Sequence, residues 1–179
     1  MATHSKSRRR YEAVTQNKAD GATYTPKTLA DFVASQMVAH ARTRDPNQPL
    51  RVLDPAVGDG ELLLSLLQQF DDSTLQRVEV FGFDTNQSAL NLAASRLRQC
   101  FPQVAVQFSH ENFLEHVLEH FEVDDRASLF RIESPTTFDL IIANPPYVRT
   151  QIMGTDQAQF LARQFGLSGR VDLYHAFLI

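Results

Sequence analysis

The stretch Leu50-Arg-Val-Leu-Asp-Pro-Ala-Val-Gly-Asp-Gly-Glu-Leu-Leu-Leu-Ser-Leu-Leu67 decides the fold. Leu50 to Asp54 is a short, largely apolar run that reads as a strand. Asp54 to Gly60 reads as a strand-to-helix turn, in which Gly58 and Gly60 let backbone approach a ligand closely. Glu61 to Leu67 is a helix too apolar to be exposed on most of its surface. The N–H groups at its start are placed to receive a carboxylate or phosphate. A dinucleotide fingerprint would need a third glycine where Leu63 stands, so the nicotinamide or flavin reading is weak.

Outward from this unit the alternation continues. Val78 to Phe83 is a second strand ending in Asp84, and Asn86 to Gln99 is a second helix with Leu90, Ala94 and Leu97 on one face. Val104 to Phe108 alternates as a third strand, Phe113 to Phe121 is helical, and Phe138 to Ala143 is a fourth strand. Glu122 to Thr137 is charged and reads as a loop. Ahead of the first strand, Leu29, Phe32, Val33, Met37 and Val38 recur at helical spacing, with Thr25 as cap and Pro26 at the first helical position. Strands alternating with helices predict an α/β fold, a mostly parallel sheet with helices on both faces. Ligands of such sheets lie beyond the carboxyl ends of the strands, which here carry Asp54, Asp84, the polar stretch around Asn112, and Asn144.

The last of these ends is Asn144-Pro-Pro-Tyr147. Each proline lacks an N–H and pushes the residue before it out of the helical region, so the amide of Asn144 and the carbonyl of Pro145 point forward. With Tyr147 they suit a planar base bearing an exocyclic amine, two oxygens accepting its N–H groups while the ring stacks. A strand-ending Pro-Pro turn with an incidental Tyr is the alternative. Asp84, 24 positions after Gly60, is placed to accept the hydroxyls of a ribose. An acid that merely caps the next helix is the alternative there; the glycine turn and Asp84 together favour an adenosine-containing ligand.

Composition sets bounds. The chain of 179 residues is 43% hydrophobic and 9% aromatic, enough for one domain with a real core, and has no apolar run long enough to span a membrane. The basic start, with Lys6, Arg8, Arg9 and Arg10, is not followed by an apolar segment and reads as a solvated tail, not a secretory signal. The lone cysteine, Cys100, excludes an internal disulfide, fits a reducing cytoplasm and is assigned a packing role. A net charge of −4 argues against a self-sufficient nucleic-acid surface. His116-Val-Leu-Glu-His120 formally matches an inverted zinc-protease pattern, but nothing in the sequence marks a third ligand, and the pair reads as a solvated helix face. No metal site is expected.

Taken in order, Tyr24-Thr-Pro26, Asp54 to Gly60, Gly82-Phe-Asp84, Asn112-Phe-Leu114 and Asn144 to Tyr147 resemble the motifs of gamma-class, N6-adenine DNA methyltransferases. The resemblance is strongest to the type IIG, Eco57I-like enzymes of restriction-modification systems. It runs from about residue 23 to 179, and Asp172-Leu-Tyr-His-Ala-Phe177 resembles the next motif. It implies a Rossmann-like S-adenosylmethionine-dependent methyltransferase fold, incomplete at the C-terminus. Residues 1–22 are then a basic N-terminal segment and 23–179 the N-terminal part of the catalytic domain, without a target-recognition domain.

The same resemblance implies S-adenosylmethionine bound by Thr25, Pro26, Asp54, Pro55, Ala56, Gly58, Gly60, Asp84, Asn112 and Phe113. It makes Asn144, Pro145, Pro146 and Tyr147 the catalytic corner, with Tyr147 and Phe177 lining the pocket of a flipped-out adenine. Double-stranded DNA is the implied substrate, reached through a recognition domain or subunit beyond this chain, in a bacterial or archaeal cytoplasm. The family usually has an acid where Asn112 stands; its amide oxygen can still accept a hydrogen bond. Two alternatives keep the fold: a glutamine N5-methyltransferase acting on protein, which shares the Asn144 to Tyr147 pattern, and a non-catalytic cofactor-binding fragment.

Overall fold

The structure, a computed structural model, describes residues 25–41, 45–121 and 137–145. The expectations for Pro146, Tyr147, Phe177, the basic N-terminal segment and the loop over 122–136 fall outside these residues. Among the described residues the elements are, in order, α1 (Lys27–His40), β1 (Leu50–Asp54), α2 (Glu61–Leu67), α3 (Asp72–Leu75), β2 (Val78–Phe83), α4 (Gln87–Cys100), β3 (Ala105–Ser109), α5 (Phe113–Phe121) and β4 (Leu140–Ile141). The strands form one sheet in the order β3-β2-β1-β4, every pairing parallel. The strand order reverses at β1, and sheets of this kind bind ligands beyond the carboxyl ends of the strands at that point.

Alternation along the strands sorts the two faces of the sheet. Leu50 and Val52 of β1 stand opposite Val78 and Val80 of β2, and all four join a buried cluster with Leu63, Leu66, Leu67, Leu90, Ala93 and Leu97 of α2 and α4. Burying each of these leucines stabilises the fold by roughly 1.5–3 kcal/mol, which is why so short a helix as α2 holds its place. The other face carries the Arg51–Glu79 ion pair and an edge-on contact between Phe81 and Phe138, and at its end Phe83 meets Phe113 of α5. Among the described residues no helix is long and apolar enough to cross a membrane.

Helix α2 packs against both α1 and α4. Its one polar interior residue, Ser65, is fully buried, and its hydroxyl donates to Asp31 Oδ1 on α1 at 2.8 Å. A buried hydroxyl without a partner is costly, so this bond fixes how α1 lies on α2. Lys27 also pairs with Asp31, and these two partners, Lys27 first, hold the Asp31 carboxyl below its ordinary range.

Several local expectations are corrected. In α1 the buried residues are Ala30 and Ala34, while Leu29 and Phe32 are exposed; small side chains face α2 because they allow the two backbones to approach. Pro26, not Thr25, occupies the cap position, and among the described residues no side chain caps α1. In α4 it is Ala93 that is fully buried, against the Gly60 turn, and Ala94 is only half-buried. Cys100 is exposed at the end of α4, and the next residue, Phe101, packs on the core. Strand β4 is shorter than expected, although Asp139 N donates to Arg51 O and Ile142 N to Leu53 O on either side of it. The short α3, missed in the sequence, is nucleated by Asp71, whose carboxylate accepts from Thr74 N at 2.8 Å.

Gly82 marks the tightest point of the sheet. A Cβ there would come within 2.4 Å of Val57 Cγ2 and 2.8 Å of the Phe108 ring. Gly82→Ala should therefore lower stability by about 1–3 kcal/mol, read as a shifted urea midpoint at unchanged slope. A midpoint equal to that of the parent would contradict this packing.

Candidate functional site

Because every strand runs the same way, the turn after β1, Asp84 after β2, the Asn112 segment after β3 and Asn144 after β4 emerge at one edge of the sheet. The turn after β1 is held from two sides, by the end of β2 and by α4. Gly58 and Gly60 take positive φ values of 55° and 81°, a region that side chains disfavour. At Gly60 an added Cβ would also sit 2.9 Å from Ala93 Cβ, so glycine is required twice over.

The turn is bonded to β2: Val57 N donates to Phe83 O at 3.0 Å, and Gly58 N donates to Asp84 Oδ2 at 2.7 Å. Asp84 Oδ1 meanwhile accepts from Asn86 N at 2.8 Å. Asn86 in turn caps α4, its Oδ1 accepting from Ser88 N and Ala89 N. One half-buried carboxylate thus ties the glycine turn, the end of β2 and the start of α4 together. Each of its oxygens keeps a further lone pair for a hydroxyl.

From the other side, Arg96 of α4 donates to Asp59 O at 2.8 Å and pairs with the carboxylates of Asp59 and Glu61. The first N–H of α2, that of Glu61, is already taken by Asp59 Oδ1 at 3.3 Å. No local pattern marks the Arg96 grip, since Arg96 and Asp59 lie 37 positions apart. The Asn86 cap was readable from the polar run Thr85 to Ser88 before the apolar face of α4.

Asp54 does not line the edge as expected of a polar strand end; it is fully buried. Its Oδ1 accepts from Ala56 N at 3.0 Å, and its Oδ2 has no hydrogen-bond partner among the described residues. Burial pushes its carboxyl up to about 7; the Ala56 N–H partly opposes this and the nearby Asp84 charge adds to it.

Asn112 serves first as the entry to α5: its Oδ1 accepts from Leu114 N at 3.1 Å, its carbonyl accepts from His116 N, and its Nδ2 donates to Glu115. Its amide oxygen, expected to be an acceptor for ligand, is thus already engaged once. Beside it Phe83 meets Phe113 edge-on at 5.2 Å between centroids and lies 4.8 Å from the His116 ring. His116, considered in the sequence as a metal ligand, bonds to Glu111 Oε2 at 2.9 Å.

Asn144 follows the end of β4, two residues past Ile142, whose N–H is bonded to Leu53 O. It lies beyond the strand adjacent to the glycine turn. Its Nδ2 donates to Thr25 Oγ1 at 3.0 Å, bringing together two residues 119 positions apart.

A parallel sheet that reverses at β1, a glycine turn braced by the acid after β2, and a half-buried amide at the end of β4 define the Rossmann-like fold of S-adenosylmethionine-dependent methyltransferases. The chain belongs to the N-6 DNA methylase family, whose model matches residues 9–167. It is 40% identical over 172 residues to the type II methyltransferase M.BanIII of Aneurinibacillus aneurinilyticus, covering 94% of this chain and 29% of that protein. Against the type II methyltransferase M.XhoI of Xanthomonas vasicola the identity is 25%, covering 88% of this chain and 30% of that protein. The chain therefore spans about three tenths of the length of the curated relatives it matches. Among solved structures, the type IIG restriction endonuclease BpuSI superposes with a TM-score of 0.56 at 20% identity, covering 88% of this chain and 18% of that one.

The Asp54 carboxyl carries a pH signature. The unfolded group ionises near 3.8 and the folded one at about 7, so between these values the folded state holds the extra proton. The contribution of Asp54 to stability accordingly falls as pH rises through this window and is level above it. Asp54→Asn keeps an acceptor for the Ala56 N–H and should remove the fall. Its urea midpoint relative to the parent should climb between about pH 4 and pH 7; a pH-independent difference would contradict the buried carboxyl.

Proposed function

We propose that the chain is the cofactor-binding and catalytic part of a DNA methyltransferase that transfers a methyl group from S-adenosylmethionine to N6 of adenine in a restriction-modification system. The observation that carries this reading is Asn144: a half-buried amide, anchored through its nitrogen, beyond the strand next to the glycine turn. The family match and the two type II methyltransferase relatives support the same chemistry.

The residues present fit the cofactor. A half-buried acid at Asp84 beside the Gly58 turn, and a buried Asp54 oxygen that has no partner among the described residues, are acceptors of the kind that the hydroxyls and ammonium of such a cofactor require. Thr25 and Pro26 lie at the methionine end in this reading, with Asp54, Pro55, Ala56, Gly58 and Gly60 beneath it. Asp84 accepts the ribose hydroxyls through its remaining lone pairs, and Asn112 and Phe113 flank the adenine. When bound, the cofactor supplies an electrophilic methyl group.

The rest falls to the chain. The lone pair of an aromatic amine is delocalised into its ring, and acceptors on both amine hydrogens help localise it on nitrogen. Asn144 Oδ1 and the Pro145 carbonyl are those acceptors in this reading. Pro146 fixes the backbone that presents them, Tyr147 stacks on the base, and Phe177 lines the same pocket. Orientation of the amine at near-contact distance supplies most of the acceleration. Extracting the base costs a few kcal/mol, offset in part by stacking worth about 1–3 kcal/mol. Double-stranded DNA is the substrate, and its recognition comes from a domain or subunit beyond this chain, in keeping with a net charge of −4.

In the complete protein Asn144→Ala should lower methyl transfer to DNA adenine by at least about a hundredfold, measured with radiolabelled S-adenosylmethionine. Calorimetric affinity for the cofactor should stay close to that of the parent. Near-normal turnover by this variant would sink the assignment.

A further inference from the structure

We infer that Thr25 is a positioning residue that holds the Asn144 amide with its oxygen toward the substrate amine. This inference rests on the reading of Asn144 as an amine acceptor. An amide has two unlike ends: its oxygen accepts and its nitrogen only donates. An incoming amine offers N–H groups, so only the oxygen serves it. Turned over, the amide would set donor against donor.

Pro145 restricts the backbone of Asn144 but leaves its side-chain torsions free. The Thr25 hydroxyl supplies that missing constraint, since Asn144 Nδ2 donates to Thr25 Oγ1 at 3.0 Å in a partly buried position. With one of its N–H groups held there, the amide has its oxygen left for the substrate. A half-buried N–H without an acceptor would otherwise favour rotation toward any acceptor in reach.

Thr25 is itself held on a firm base. Pro26 pushes it toward extended backbone, and the Pro26 carbonyl accepts from both Leu29 N at 2.9 Å and Ala30 N at 3.0 Å at the start of α1. Helix α1 is pinned to α2 by the bond from buried Ser65 to Asp31. Two residues, each followed by proline, therefore meet across the mouth of the sheet, one referenced to α1 and the other to β4.

The test uses the complete protein and three variants. At saturating cofactor, Thr25→Val and Thr25→Ala should slow single-turnover methyl transfer by about ten- to hundredfold, whatever they do to cofactor affinity. Thr25→Ser, which keeps the acceptor, should restore the rate. Selective 15N labelling of asparagine gives an independent readout. The Nδ2 protons of Asn144 should exchange slowly with solvent in the parent and in Thr25→Ser, and quickly in the other two variants.

Unchanged exchange in both Thr25→Val and Thr25→Ala would overturn the inference. So would weakened cofactor binding with an unchanged single-turnover rate, which assigns Thr25 to the cofactor. If the parent methylates no DNA adenine, the functional reading falls, while the exchange measurement still decides whether Thr25 anchors Asn144.

Discussion

Strand β1 hydrogen-bonds in parallel to a neighbour on each side, β2 and β4, and the rest of the site depends on that double pairing. Parallel pairing sends the carboxyl ends of all three strands to one edge, and the reversal of strand order at β1 leaves that edge uncovered. The pairing with β2 sets Asp54 opposite Gly82, so that the turn leaving β1 runs past Asp84 and can bond to it. The pairing with β4 reaches its last hydrogen bond at Leu53 and releases the chain two residues before Asn144. A slip of one residue in either ladder would turn every side chain to the opposite face and separate these groups.

The turn after β1 concentrates local costs that the surrounding structure offsets. It holds two residues at positive φ, a buried carboxyl with one oxygen unpartnered among the described residues, and a glycine where a Cβ would sit 2.9 Å from Ala93 of α4. Against these stand the Asp84 carboxylate, which joins the turn to β2 and α4, and Arg96, which grips Asp59 and Glu61. A turn held so firmly in a conformation it would not choose alone is expected where a ligand must meet fixed backbone. The Asp54 carboxyl belongs to the same pattern, since a protonated acid at that depth avoids the cost of burying charge.

Elements whose cause is local were legible. Strand β1, helix α2, strand β2 and helix α5 have the bounds that the sequence implies, because each is a run of one periodicity between turn residues. What failed depended on neighbours distant in sequence. Thr25 reads as a helix cap in isolation, but the helix begins one residue later, with Pro26 at the cap position, and the Thr25 hydroxyl accepts from Asn144. Leu29 and Phe32 belong to the apolar pattern of α1, yet the face that meets α2 is the one with the smallest side chains. Asn112 reads as a ligand acceptor, but its oxygen also closes the first turn of α5. Strand β4 is shorter than its apolar run because only Leu140 and Ile141 pair with β1 as ladder residues.

The sequence by itself determined the alternation of strands and helices, the glycine turn, the acid after β2 and the Asn-Pro corner after β4, since each follows from residue type and spacing within about ten positions. Only the tertiary structure decided which of these groups meet. The Asp84 carboxylate on the turn, Arg96 across Asp59 and Glu61, and the Thr25 hydroxyl on Asn144 are contacts over 26, 37 and 119 positions of chain. No local propensity encodes such distances. They arise because parallel pairing and the burial of α2 between α1 and α4 leave the ends of distant segments one way to lie together.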